Sequence, residues 1–391
     1  MSGESPARDG GLLDRRRELA AAPRGGRSHR RRAVLAAAGT AALLTSLGGF
    51  SACGAPAPGV TVKPPASSSQ RLSLSPIPGQ LIGVSAGPDG SAWAAGSTTS
   101  GRALIVHWNG ATWSQAASPV PGGTALLHGV SAGPGGSAWA AGNTCASGCG
   151  TSAEADRTLI LRWDGVSWSQ TASPSPGRDA LLLGVSAGPG NAAWAVGDSC
   201  MSRCGTTSAV YRMLILRWHG KAWSLVTGPG LGGDAYLYGV STAPGGGAWA
   251  VGYICTSGCH TASETDQMLI LHWDGTSWSQ AAAPGVGSSA LLDAVSAGSG
   301  GAAWAVGSSC TPGCLAPRAA SRALILHWDG TAWAEAAGPR PAGKSILTGV
   351  SAGPGGSAWA AGYTCTPGCF APSEANQTLI MRWNGVTWSA G

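Results

Sequence analysis

Tryptophan recurs in this chain with a fixed spacing, and that spacing constrains the fold more than any other feature. All 18 tryptophans fall in three series. The first is Trp93, Trp139, Trp194, Trp249, Trp304 and Trp359; the second is Trp108, Trp163, Trp218, Trp273, Trp328 and Trp383; the third is Trp113, Trp168, Trp223, Trp278, Trp333 and Trp388. The second and third series repeat every 55 residues, and so does the first apart from one step of 46. A constant period of this length marks a solenoid or a propeller built from identical supersecondary units.

Each copy reads roughly "LxGVSAGPGGSAWAVG", a variable loop, then "LILHWDGTSWSQ". Leu182 to Ala187 is a short β run closed by Gly188-Pro189-Gly190, and Ala193 to Gly197 is a second. Leu159 to Trp163 is a third, apolar with one polar break. Asp164-Gly165 then predicts a two-residue type I′ hairpin in which Trp163 pairs with Val166. Alternation sets Leu161, Trp163, Val166 and Trp168 on one face, too apolar to meet water. One four-stranded sheet cannot cover that face, but the neighbouring copy can. The expectation is therefore an all-β, six-bladed β-propeller with four antiparallel strands per blade, against an open stack or β-solenoid as the alternative. Copy six stops at "TWSAG", and Leu72-Ser73-Leu74-Ser75-Pro76 reads like the missing tail, which predicts an N-terminal strand closing the last blade.

The pattern "GVSA…WAVG…LILHWDG..W" resembles the tryptophan-rich β-propeller repeats of secreted and lipid-anchored actinobacterial proteins, over about four-fifths of the chain. The resemblance implies the propeller fold and carries little about activity.

Composition agrees and narrows the partners. Gly is 63 of 391 residues and charged residues are 11%, unlike a helical bundle. The net charge of +6 is concentrated in residues 1–53, which hold 9 Arg and 4 acids. Residues 54–391 hold 15 basic and 14 acidic residues, so the body has no basic stripe to neutralise a phosphate backbone, and no nucleic-acid partner is expected.

Residues 1–53 read as a signal peptide. A basic cluster precedes the apolar run Ala33 to Phe50, and Arg31-Arg32-Ala33-Val34-Leu35 resembles a twin-arginine motif, with an ordinary export signal as the alternative. Phe50-Ser51-Ala52-Cys53 resembles a lipobox, which places a lipid on Cys53; Phe50 departs from the usual aliphatic residue there. A retained transmembrane helix is the competing reading of this run. Residues 54–70 form a Pro/Ser/Gly linker, and residues 71–391 are the propeller. The expected location is the extracellular face of the cytoplasmic membrane, with the lipid anchor as the one membrane contact, or alternatively the secreted fraction.

Five cysteine pairs, Cys145/Cys149, Cys200/Cys204, Cys255/Cys259, Cys310/Cys314 and Cys365/Cys369, sit in copies two to six. Copy one lacks a pair and is nine residues shorter in the same loop, with 15 residues instead of 24 between its first two tryptophans. Paired cysteines in an exported chain read as local disulfides that stiffen the loop. A redox centre is the second reading and a metal knuckle the third; His260 follows one pair only, so no metal and no cofactor are expected.

Within the repeat, one position before the Gly of "xGVS" varies sharply: Ile82, His128, Leu183, Tyr238, Asp293 and Thr348. It should ring the central channel, which makes His128, Tyr238, Asp293 and Thr348 candidate ligand-binding residues; drift at a half-exposed site is the alternative. The loop acids Glu154, Asp156, Glu264, Asp266 and Glu374 suit a cation or a sugar, or are solvated loop polarity. The cations before the second tryptophan (His107, Arg162, Arg217, His272, His327, Arg382) read as structural covers of tryptophan. No nucleophile with an adjacent base, paired carboxylates or phosphate loop stands out, so no catalytic residue is assigned. The functional expectation is a monomeric binding module for a surface glycan, a protein or a small ligand. A glycan hydrolase or lyase acting at the channel mouth and a passive spacer are the alternatives.

Overall fold

The computed structural model describes residues 78–120, 123–147, 155–261, 264–287, 289–311, 320–341, 343–365 and 377–390. The signal segment, Cys53, the linker and Leu72–Pro76 lie outside the described residues. Among the described residues, no helix is long and apolar enough to cross a membrane.

Twenty-four strands form six four-stranded antiparallel sheets, each from one repeat, set in a ring as a β-propeller. Blade one is β1 (Gly79–Ala86), β2 (Ala92–Thr98), β3 (Ala103–Trp108) and β4 (Trp113–Ala116). Blade two is β5 (Ala125–Ala132), β6 (Ala138–Ser147), β7 (Ala155–Trp163) and β8 (Trp168–Thr171). Blade three is β9 (Asp179–Ala187), β10 (Ala193–Ser202), β11 (Val210–Trp218) and β12 (Trp223–Leu225). Blade four is β13 (Asp234–Thr242), β14 (Ala248–Ser257), β15 (Thr265–Trp273) and β16 (Trp278–Gln280). Blade five is β17 (Ser289–Ala297), β18 (Ala303–Thr311), β19 (Ala320–Trp328) and β20 (Trp333–Glu335). Blade six is β21 (Lys344–Ala352), β22 (Ala358–Cys365), β23 (Gln377–Trp383) and β24 (Trp388–Ala390), so its fourth strand comes from its own copy. The first strands of successive blades pack on one another, which makes them the innermost.

Tryptophan joins the blades. Trp93 of blade one lies 4.9 Å from Trp163 and 5.0 Å from Trp168 of blade two, the latter edge-on at 89°. The same triad recurs as Trp139 with Trp218 and Trp223, Trp194 with Trp273 and Trp278, Trp249 with Trp328 and Trp333, and Trp304 with Trp383 and Trp388. Each aromatic pair adds about 1 kcal/mol beyond its buried area. The indole nitrogens of Trp168, Trp223, Trp278, Trp333 and Trp388 are buried without an oxygen acceptor, and in an edge-to-face contact a ring face can take that place. A hydrogen bond fastens each junction on the same side: Ser85, Ser131, Ser186, Ser241 and Ser296 accept through Oγ from the backbone N–H of Ala132, Ala187, Thr242, Ala297 and Ala352.

The hairpin between the third and fourth strands differs from expectation. Trp163 pairs with Trp168 across a four-residue loop, and Val166 is 84% exposed. The Asp164 carboxylate accepts from both Val166 N–H and Ser167 N–H at 2.8 Å, so the side chain organises the turn and only Gly165 takes positive φ (103°). A type I′ turn would need positive φ at the aspartate as well.

Each innermost strand carries a β-bulge at one place, the residue before the Gly of "xGVS". The glycine of "WAVG" lies opposite. A Cβ on Gly252 would fall 1.9 Å from the Tyr236 carbonyl oxygen, and its counterparts in the other five blades meet the same obstruction at 1.8–2.1 Å. The bulge pushes one carbonyl into the neighbouring strand, and only glycine leaves room for it.

The junction between blades six and one is the seam of the ring. Among the described residues Trp359 makes no ring contact with Trp108 or Trp113, and Ser351 accepts no backbone N–H from blade one. Leu81 and Val84 are each 41% exposed and Ile380 39%, whereas Leu127, Val130 and Ile160, their counterparts at a formed junction, are at most 7% exposed. On the same face of blade one, Ala94, Leu104 and Val106 are buried in a small cluster with Trp113.

Two outcomes test this description. Gly252→Ala should cost about 3 kcal/mol, at the upper end of overpacking, read as a fall in denaturant midpoint; an unchanged midpoint would mean the bulge is dispensable. Ile270→Asp should prevent folding, because it buries an unpaired charge, while Ile380→Asp at the seam should leave the circular dichroism spectrum intact.

Candidate functional site

The chain enters each blade on the innermost strand and returns through the second. The long loops between second and third strands therefore share a face with the links between blades. That face carries the disulfides; the Gly-Pro-Gly and Asp-Gly turns occupy the other. Cys200–Cys204 and Cys255–Cys259 are bonded, with Cα atoms 5.8 and 5.7 Å apart. Cys145, Cys310 and Cys365 are disulfide-bonded as well. Cys149, Cys314 and Cys369 lie outside the described residues.

The varying positions Ile82, His128, Leu183, Tyr238, Asp293 and Thr348 are the bulged residues themselves. The bulge explains how they vary while their neighbours repeat: the ladder register skips this residue, so strand pairing does not fix its side chain. The structure holds them at one level of the innermost strands. The backbone around His128, Leu183, Tyr238 and Asp293 lies against the innermost glycine of the preceding blade at Gly83, Gly129, Gly184 and Gly239. Their side chains differ in reach. His128 is buried, its Nε2 2.9 Å from Asn143 Oδ1. Tyr238 and Asp293 are half-buried and Thr348 is exposed. His128, Tyr238 and Asp293 stand on blades two, four and five.

Blade four carries a tyrosine cluster that its siblings lack among the described residues. Tyr238 lies 5.8 Å from Tyr253, which stacks on Tyr236 at 4.7 Å; Tyr236 lies 5.4 Å from Tyr211 of blade three. Tyr211, Tyr236 and Tyr253 are buried, so they form a rigid support beneath Tyr238. The available signal was compositional: four of the five tyrosines fall between residues 211 and 253.

The loop after Cys255–Cys259 is fastened beside them. His260 takes positive φ (67°), its N–H donates to Glu264 Oε2 at 2.9 Å, and its Nε2 lies 2.7 Å from Asp234 Oδ2. Asp234 Oδ1 accepts from Tyr211 N–H at 2.9 Å, so this loop is tied to blade three. Solvated loop polarity is the wrong description of Glu264 and Asp266, each only 1% exposed: the fastened loop folds them inward. Their oxygens and Cys255 Sγ lie within 4.8 Å of one another, but that sulfur is in a disulfide and offers no thiolate to an ion. Asp156 is half-buried; Glu154 and Glu374 lie outside the described residues.

The histidines and arginines before the second tryptophan cover the first-series rings. His107, His272 and His327 lie 4.1–4.3 Å from Trp93, Trp249 and Trp304. Arg162 and Arg217 each lie over two tryptophans, one from either side of a blade junction, at 5.0–5.5 Å. Arg382 covers Trp359. Burial pushes the His272 and His327 imidazoles below their ordinary value, against the opposing pull of Asp274 and Asp329. Backbone N–H groups of Ala332 and Thr331 and the Thr331 hydroxyl hold Asp329 down to about 2, and the corresponding bonds lower Asp274 and Asp164.

No protein-family model and no curated protein matches the chain. Solved structures do. YjhT is 12% identical over 81% of this chain and 98% of its own, with a TM-score of 0.51. The GH74 xyloglucanase from Xanthomonas campestris is 15% identical over 80% of this chain and 45% of its own, with a TM-score of 0.52. The Aleuria aurantia lectin is 11% identical over 80% of this chain and 94% of its own, with a TM-score of 0.46. At these identities the likeness shows the fold alone.

Acid should destabilise the protein in two stages. Groups with depressed folded values contribute stability above their unfolded values and lose it as pH falls. Protonation of His272 and His327 should lower the melting temperature as pH drops below about 6.5. Protonation of the turn aspartates should lower it again from about 3.9 downward, reaching about 2 for Asp329. A flat melting profile between pH 7.5 and 5 would remove the imidazole contribution.

Proposed function

We propose that this protein is a non-enzymatic binding module for a surface glycan. It is of the secreted, lipid-anchored actinobacterial type, held at the extracellular face of the cytoplasmic membrane through Cys53. The observation that carries this reading is Tyr238: a half-buried aromatic on a bulge of an innermost strand, backed by three buried tyrosines on the disulfide-stiffened side of the ring. A rigid aromatic with a polar tip presents an apolar face to a sugar ring and a hydroxyl to its substituents at little entropic cost. Disulfides across the surrounding loops favour an oxidising compartment. Six near-identical copies favour recognition over catalysis, which draws different groups to one centre.

The test is a glycan array probed with the mature chain and with Tyr238→Ala. The variant should keep the parent melting temperature within a few degrees and lose at least about tenfold in affinity, as expected of a central aromatic anchor. Val166→Ala, on the turn side, should bind like the parent. Equal binding by the parent and Tyr238→Ala would sink the assignment of the site, and product release from any arrayed glycan would favour a hydrolase or lyase.

A further inference from the structure

In each second strand the residue after the obligatory glycine also varies: Ser97, Asn143, Asp198, Tyr253, Ser308 and Tyr363. The neighbours before it hardly change, reading Trp-Ala-Ala/Val-Gly in every copy. The register places this residue beside the bulge, because the bulge shifts the pairing at that glycine in all six blades.

Two blades show what the juxtaposition does. In blade two, Asn143 Oδ1 meets His128 Nε2 at 2.9 Å. In blade four, the ring of Tyr253 lies 5.8 Å from that of Tyr238 and is itself stacked on Tyr236. Ser97, Asn143, Asp198, Tyr253 and Ser308 are all at most 3% exposed. They are too deep to meet a ligand, yet they differ between copies, as the bulge residues do. A buried polar side chain must satisfy its hydrogen bonds inside the protein, so its identity restricts the rotamer and the ring orientation of the residue above it.

We propose that the residue after this glycine is a specificity-determining positioning residue: it sets whether and how the bulge residue of its blade is presented, and blade four reads its ligand through the pair of Tyr238 and Tyr253. The proposal rests on the glycan-binding reading above and deepens it. Blade four, with half-buried Tyr238 on Tyr253, is the pair suited to the apolar face of a sugar ring; in blade two the bond to Asn143 holds the bulge histidine inward, away from a ligand.

Transplanting one pair tests this in the full mature chain. The variants are Tyr238→His, Tyr253→Asn and the double change, which copies blade two's pair into blade four, together with Tyr253→Phe. Melting temperature and the ranking of glycans on an array are read for each. If the pair is a unit, Tyr253→Asn changes the ranking and lowers the best affinity about tenfold, although Tyr253 itself is buried. Tyr253→Phe keeps the parent ranking. The double variant then loses less melting temperature than the two single losses combined. Additive melting losses, or an unchanged ranking in Tyr253→Asn, overturn the proposal. Should the parent retain no glycan, the glycan reading falls, and the thermal coupling alone decides whether the pair exists.

Discussion

The edge-to-face contact of one blade's tryptophan with the next blade's hairpin underlies everything else in this molecule. A single blade leaves a wide apolar face in water and cannot stand alone. The contact converts that liability into a junction, and the same junction is made five times with ring separations agreeing to a few tenths of an ångström. The histidines and arginines over the first-series rings belong to this arrangement. They cover indole faces that would otherwise meet solvent at the rim, which accounts for their regular recurrence without any shared chemistry. Because the tryptophan contacts tolerate little change, variation is pushed to side chains outside them: the bulge, the residue beside it, and the loops bearing the cysteines.

Much of the fold was legible because tryptophan spacing reports the repeat directly and glycine reports the turns. The hairpin loop departs from its composition for a local reason. Asp164-Gly165 carries the composition of a two-residue turn, but the aspartate side chain caps two amides and widens the loop to four residues. That one interaction moves Val166 from the core to the surface and sets Trp163 opposite Trp168. Of the candidate site, the varying ring was visible in the repeat alignment, since only comparison between copies is needed to find it. The tyrosine support was hidden, because Tyr211, Tyr236 and Tyr253 come from two blades and meet only once the strands are placed side by side. The burial of Glu264 and Asp266 was hidden likewise: it depends on the loop being folded inward by His260 and Asp234.

The two sides of the ring divide the work. The turn side is nearly uniform, with tryptophans, turns held by an Asp or Asn side chain in five blades, and amide-to-serine bonds repeated from blade to blade. The disulfide side is more varied: Asp179, Asp234 and Ser289 accept from the equivalent backbone N–H of the preceding blade (Asp156, Tyr211 and Asp266) through a carboxylate or a hydroxyl, and Lys344 stands at the corresponding position in blade six. Stability is concentrated where the copies agree. The bulge joins the two, since it needs the conserved glycine opposite it and presents the least conserved side chain in the strand.

The sameness of the junctions has an evolutionary corollary. A blade inserted or removed as one whole 55-residue step would find matching walls on either side, so copy number can drift by unequal recombination without any new contact having to be invented. Rings of different circumference are then accessible from one ancestral unit. What such drift cannot preserve is the seam, where a change in the number of leaves alters the gap that the first and last must span.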